Sequence, residues 1–311
     1  MFETAGYIVG TSLMYAAPLI LCALGGVLSE NAGIVALGLE GMMTVGAFSA
    51  AAVVLFTGNP WLGFTVAGLA GALLAALHAT ASVNLRANQV VSGIAVNFLG
   101  AGSALFLSRI LFQGSTVTLP VPLDQKMPRP MKGVFSQNSF SDLVFNQYAT
   151  VYIALALACI IWYLLYRTPL GLRIRAVGEN PEAADTLGVP VRAIRFSCVL
   201  ASGLLAGFGG AGMSIAVVSS FRPTLISGHG FIALAAVIFG RWKPQGALGA
   251  CLLFGSAQAF TVYLGGAGWG RNVPSQLLSM MPYVIALIIL AGFIGKSYAP
   301  AAAGVPYPGG K

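Results

Sequence analysis

Few side chains in this sequence could do chemistry, and the most conspicuous sits where an apolar chain would not ordinarily keep it. Glu40 lies in NAGIVALGLEGMMTVGA (31–47), flanked by Gly38 and Gly41 between two hydrophobic runs. A charged group within hydrocarbon costs on the order of 3 kcal/mol on insertion scales, so a carboxylate at that depth faces protein or water. Two readings fit. Residues 29–40 form an inner loop with Glu40 at an interface, or Ser29 to Gly41 is an irregular segment inside a bundle, with Gly33, Gly38 and Gly41 permitting backbone turns. An internal echo bears on the choice: Gly33-Ile-Val-Ala-Leu resembles Gly230-Phe-Ile-Ala-Leu, and each follows a polar break, Glu30-Asn31 in one and His229 in the other. Interrupted apolar segments in corresponding places of two halves point to a solute pathway between them. Asn97, Ser256 and Gln258 add amide and hydroxyl groups within apolar runs, able to donate to and accept from a neutral polar solute. The pathway candidates are therefore Glu40, Asn31, Asn97, Ser256, Gln258 and His229. An interhelical hydrogen bond competes for Asn97, and packing near an inner end competes for His78. No catalytic residues emerge, and Cys22, Cys159, Cys198 and Cys251 all lie in apolar blocks without disulfide or metal spacing.

The elements that must position these groups follow from composition. The chain has 311 residues, 57% hydrophobic and 8% charged, against roughly 25% charge in a soluble domain. Uncharged stretches long enough to cross hydrocarbon recur: Thr4 to Ser29, Gly41 to Leu85, Ala87 to Ser108, Leu143 to Tyr166, Phe196 to Phe221, Pro244 to Gly270 and Asn272 to Gly295. The fold class is an all-α polytopic membrane protein, with about eight to ten transmembrane helices and interrupted segments. Helices are expected at 7–28, 41–57, 61–82, 90–112, 148–166, 196–218, 247–265 and 277–294, with Gly58-Asn59-Pro60 as a tight hairpin. The apolar piece 230–240 is too short to span alone and reads as the second half of a broken helix beginning near Ser219. Residues 1–296 make one membrane domain, and the Ala-, Gly- and Pro-rich stretch 297–311 reads as a flexible tail. The N-terminus has Glu3 and no basic residue before its apolar run, unlike a cleavable signal peptide.

The net charge of +8 does not point to nucleic acid, because the basic residues concentrate in one loop between spans. That loop, 167–195, carries Arg167, Arg173, Arg175, Arg192 and Arg195 and is placed in the cytoplasm. Arg86, Arg241, Lys243, Lys296 and Lys311 then fall inside as well, giving about nine crossings with the N-terminus out and the C-terminus in. The long loop 113–147 falls outside despite Lys126, Arg129 and Lys132, and long loops weigh less in this rule.

Within the cytoplasmic loop, RTPLGLRIRAVGENPEAADTLGVPVRAIRFS predicts a short helix over 181–187 between cationic stretches of chain. Asn180 is its N-cap, Pro181 its first residue and Glu182 an anion in its first turn, with Gly188 after its end and Pro190 stopping continuation. A stiff, capped helix on a short tether suits a docking element that a cytosolic partner can push; a basic inner loop without such a role is the competing reading.

RAVGENPEAADTLGV resembles the cytoplasmic coupling loop of ABC importer permeases of the simple-sugar, nucleoside and branched-chain amino-acid group. NAGIVALGLEGMMTVGA is similar to that group's N-terminal signature, NQVVSGIAVNFLG (89–101) to its nucleoside branch, and GHGFIALAAVIFGRWKPQGALGACLLFG (228–255) to its late block. The resemblance covers about 28 to 265 and looks closest to the smaller nucleoside-type permease. It implies an ABC importer transmembrane domain in the bacterial inner (plasma) membrane, a non-enzymatic subunit without a cofactor that forms the pathway for nucleosides, with simple sugars or branched-chain amino acids as the alternative. It also implies three kinds of partner: two ATP-binding cassette subunits, a second permease subunit in a heterodimer, and an extracytoplasmic substrate-binding protein. Carried onto this chain, the coupling contacts are Glu179, Asn180, Pro181, Glu182, Asp185 and Gly188.

Other classes fit less well. An ion-driven transporter needs an ionisable relay inside the spans, where Glu40 and His78 are nearly alone. A membrane scaffold needs neither the capped helix nor the interruptions. GFIGKS (292–297) lacks the first glycine of a phosphate-binding loop, since position 290 is Leu, and it follows no strand.

Overall fold

The computed structural model describes residues 2–136, 139–266, 280, 284 and 299–309. The helix expected over 277–294, and Lys296 and Lys311, lie outside the described residues apart from single positions.

Among the described residues the chain is helical without strands. α1 (Phe2–Asn31) is followed by a buried irregular stretch, and α2 (Leu39–Thr57) returns. Gly58 is left-handed at φ 71°, and Asn59 accepts hydrogen bonds from the Trp61 and Leu62 amides, so α3 (Pro60–Ala79) starts at once. A π-turn, Thr80–Asn84, ends it. Asn88 caps α4 (Gln89–Leu111) in the same way, through the Val90 and Val91 amides. The long loop after α4 contains α5 (Phe140–Phe145) and leads to α6 (Ala149–Arg167). α7 (Pro169–Glu179) and α8 (Pro181–Thr186) form the excursion between α6 and α9. α9 (Val191–Ala211) continues through a π-turn to Val217, and α10 (His229–Phe239) and α11 (Pro244–Gly266) complete the described bundle.

Seven of these helices are long and apolar enough to cross a membrane, and α10 is a shorter apolar helix. The expected break after Ser219 is a full interruption: 218–228 is irregular and α10 begins afresh at His229. The choice left open for Ser29 to Gly41 falls to the irregular segment, since Ala32, Ile34 and Ala36 are buried within the bundle. The region around 167–180, expected as extended cationic chain, is instead α7. Its Thr168 hydroxyl caps the Gly171 amide, Pro169 occupies the first position, and Ile174 and Val177 turn inward.

α9 is the axis of the bundle, packing against α1, α2 and α3. Without water to drive association between apolar helices, close approach of backbones supplies the packing energy. The approach is made by small residues. A Cβ on Gly46 of α2 would lie 2.5 Å from the Gly207 Cα of α9, and one on Gly207 would collide with the Ala67 carbonyl of α3. Gly203 and Gly71 oppose one another in the same seam.

This seam separates two otherwise similar glycines. Gly207→Val is expected to abolish folding into a detergent-stable species, because the α2–α3–α9 contact cannot open to admit it. Gly102→Ala on α4, where a new Cβ meets nothing within 4 Å, is expected to raise the thermal midpoint slightly, since alanine is about 1 kcal/mol better in a helix. Size-exclusion profiles and melting of the two variants check this.

Candidate functional site

The two irregular segments converge. Glu40, in the first turn of α2, reaches the start of α10, where its Oε1 accepts from the Gly228 amide (2.6 Å) and its Oε2 from the Gly230 amide (2.7 Å). These are charge-assisted bonds to the orphan donors of a helix N-terminus, where the helix dipole also favours an anion. The approach demands glycine at 230, because a Cβ there would lie 2.5 Å from the Glu40 Cα. Glu40 thus fastens the second half of one interrupted segment to the second half of the other.

Asn97 of α4 secures the same region from the opposite side. Its Oδ1 accepts from the Gly41 amide and its Nδ2 donates to the Leu37 carbonyl, both at 2.8 Å. The competing role anticipated for Asn97, an interhelical bond, is therefore the geometry found. His229, half-buried between the two glycine donors, bonds through Nδ1 to the Ile226 carbonyl. Glu40, Asn97 and His229 are accordingly brought together around one joint.

The other candidates lie elsewhere. Asn31 stands at the end of α1, where its amide donates to the Val27 carbonyl (2.7 Å) and to the Trp242 carbonyl (2.9 Å). Ser256 is exposed on α11 and turns its hydroxyl to the Leu253 carbonyl. Its neighbour Gly255 packs on Ser12 and Ala16 of α1, and Gln258 follows one half-turn on.

Several groups complete this end to which sequence reasoning gives no pathway role: Glu30 reads only as a polar break, His78 as packing near an inner end, and Gln89 and Trp242 have no part. Glu30 is buried at 5% exposure; it accepts from the Trp242 indole and, at 3.2 Å, from the Ala36 amide. Trp242 and Arg241 both hold positive φ, 56° and 53°, so this clamp fixes a left-handed turn after α10. Gln89 accepts from the Val35 amide at 2.8 Å, and His78 bridges Ser92 (2.9 Å) and the Val35 carbonyl (3.3 Å). Each of these side chains satisfies backbone that left its helix. Glu30-Asn31 beside a glycine was the visible signal; the partners over two hundred residues away had none.

In the loop 167–195, Asn180 caps α8 through the Ala183 amide (3.0 Å) and Pro181 opens it. The helix ends at Thr186, one residue before the expected end, and Gly188 is left-handed at φ 76°. Glu179, Glu182 and Leu187 are exposed, Leu187 at 83%. Near the loop 113–147, Arg129 lies over the Tyr148 ring (4.4 Å) beside a cavity of about 650 Å³ that Lys126, Lys132 and Trp61 also line.

The family described as branched-chain amino acid transport system / permease component matches residues 8–291. The chain is 45% identical over 314 residues to the guanosine ABC transporter permease protein NupQ of Bacillus subtilis, covering 98% of this chain and 97% of that one. It is 42% identical over 318 residues to the nucleoside ABC transporter permease protein NupC of Lactococcus lactis, covering 98% of each. Among solved structures it resembles a metal-chelate type ABC transporter in an inward-facing conformation, with a TM-score of 0.51 and 18% identity over 92% of this chain and 85% of that one. That likeness is one of fold alone.

Removing the joint has a readable cost. Glu40→Gln leaves one acceptor and turns an N–H donor toward the other amide, which is expected to cost about 2 kcal/mol and to lower the thermal midpoint in detergent. Gly230→Ala is expected to be worse, because backbone must move. Unchanged melting of both variants would rule out a structural joint at Glu40.

Proposed function

We propose a function from one premise: the chain belongs to the branched-chain amino acid transport system permease family. It is a multi-pass plasma-membrane permease subunit of an ABC transporter, a transport component and not an enzyme. Its substrates are nucleosides. Support for that class comes from near-full-length similarity to permeases named for guanosine and for nucleosides.

The observation that carries the mechanism is α8, a capped helix that exposes Glu182 in its first turn and Leu187 just after its end. ATP-binding subunits grip α8, with Glu179, Asn180, Pro181, Glu182, Asp185 and Gly188 as the docking element. A second permease subunit completes the pathway, and an extracytoplasmic binding protein delivers substrate to the outer face, where Lys126, Arg129 and Lys132 lie. Closure of the ATP-binding pair moves α8 and, through α7 and α9, the ends of the interrupted segments. The joint at Glu40, with Asn97 and His229, is then the wall of the pathway that shifts between its two accesses. Asn31, Ser256 and Gln258 belong to the pathway in the same reading, below and above that joint. A neutral, hydroxyl-rich solute needs few strong contacts there, because selectivity belongs to the delivering protein.

Two measurements test this. Glu182→Lys combined with Leu187→Asp alters only exposed positions, so melting is expected to stay unchanged while uptake and ATPase co-purification fall at least about tenfold, the equivalent of about 1.4 kcal/mol of interface energy. Wild-type uptake in that variant would remove α8 from the coupling path. Competition of uptake by a panel of nucleosides, simple sugars and branched-chain amino acids is expected to show inhibition by nucleosides; inhibition by sugars or amino acids alone would overturn the substrate class.

A further inference from the structure

The stretch read from composition as a flexible tail is packed. Residues 299–309 run beneath the cytoplasmic end of the bundle and bond to three separate parts of it. The Ala302 amide donates to the Gly178 carbonyl of α7 (2.9 Å), and the Gly304 amide to the Gly33 carbonyl of the first irregular segment (3.3 Å). From α9, the Arg195 Nη1 donates to the Val305 carbonyl (3.1 Å) and the Arg192 Nη2 to the Pro308 carbonyl (3.2 Å). Gly304 and Gly309 hold φ of 80° and 84°, so the path depends on two left-handed turns that alanine would resist.

Side-chain packing gives the run a second function than coverage. α8 has one buried residue, Ala184. It lies in a small apolar cluster with Val177 of α7, Val191 of α9 and Tyr307 of the tail. Tyr307, 7% exposed, is by far the largest member. Arg195 is 2% exposed, with its guanidinium 6.0 Å from the Tyr307 ring. A charge so deeply covered needs nearby carbonyls and an aromatic face, and here the tail provides both.

We propose that residues 299–309 form a strut that ties α8 to the start of α9 and to Gly33 in the first interrupted segment, with Tyr307 as the positioning residue that seats α8. The inference rests on the docking role given to α8 above. A short helix transmits a push only as far as it is packed against something rigid. α8 touches the bundle through the Asn180 hinge and the Ala184 cluster. With the Tyr307 ring removed, α8 rests only on the small aliphatic side chains of Val177, Val191, Ala176, Val189 and Ile194, and follows its motor while dragging Gly33 and α9 less. ATP is then hydrolysed with less movement of the pathway.

The test uses the complete transporter, reconstituted with its ATP-binding subunits, second permease and binding protein, reading uptake and ATP hydrolysis together. Tyr307→Ala is expected to keep its bound ATPase and its hydrolysis rate, with a lowered thermal midpoint, while uptake per ATP falls about fivefold, within the range that coupling-path substitutions reach. Tyr307→Phe keeps the ring and is expected to restore most of the ratio. A chain ending at residue 298 is expected to behave as Tyr307→Ala does. Wild-type uptake per ATP in both Tyr307→Ala and the shortened chain would overturn the strut. Loss of bound ATPase in Tyr307→Ala would overturn it too, by making the tail part of the docking surface. The paired Glu182→Lys, Leu187→Asp variant separates the two readings: it loses the motor if α8 docks it, whatever the tail does.

Discussion

Backbone that leaves a helix in a water-poor interior must find its hydrogen bonds in the protein. Among the described residues the buried chain leaves its helices at 32–38 and at 218–228, and much of the surrounding polar architecture answers those two interruptions. Glu40 satisfies the amides of Gly228 and Gly230, Asn97 the Gly41 amide and the Leu37 carbonyl, Gln89 the Val35 amide, and Glu30 the Ala36 amide. Two of the few acidic residues in the chain are spent on this task. An anion at the N-terminus of α10 gains from the helix dipole as well as from the two bonds, which makes Glu40 the strongest of these ties. It also makes the joint specific: the neighbouring backbone comes so close that only glycine fits at 230.

That constraint shapes how the molecule can move. α9 is locked to α2 and α3 through glycine contacts that leave no room for sliding. Interfaces packed in this way are displaced as units and not deformed gradually. The short α10, by contrast, is tied at one end by a carboxylate and at the other by the Glu30–Trp242 and Asn31–Trp242 bonds. Polar ties between otherwise separate segments can be exchanged at small net cost when a new partner replaces the old, whereas glycine seams cannot. In the proposed mechanism the motion is thus directed to the interrupted segments, and the rigid part carries the push to them.

Much of the bundle was legible in the residues. Charge-free blocks of hydrocarbon length marked the spans, and Gly58-Asn59-Pro60 and Asn180-Pro181 marked their turns because capping and proline chemistry act within three residues. α7 was missed although Thr168-Pro169 is itself a start signal; its arginines drew attention to topology instead of to the inward spacing of Ile174 and Val177. Glu40 announced itself by cost, but the identity of its partners did not follow, since Gly228 and Gly230 are nearly two hundred residues away. The same distance hid Trp242 from Glu30. Arg195 was counted as a loop cation, and only the fold shows it covered. Composition misread the tail: alanine, glycine and proline in a row describe a chain with little apolar area of its own, and say nothing about a groove waiting for one tyrosine.

The covered Arg195 links these points. Burying a guanidinium is costly unless its surroundings are polar, and the groups that reduce the cost come from the tail: the Val305 carbonyl, which accepts from Nη1, and the Tyr307 ring. Gly33, without a Cβ, leaves room for Nη2, which like Nε has no hydrogen-bond partner among the described residues. A cation on α9 therefore anchors the tail, which bonds the first interruption through the Gly304 amide and packs on α8 through Tyr307. Replacing it by an apolar residue of similar volume would remove the desolvation cost and could stabilise the bundle, as it does for many buried charges. It would also leave the tail with one fewer anchor. A charge retained at such a place makes physical sense where registry between moving parts matters more than the last increment of stability.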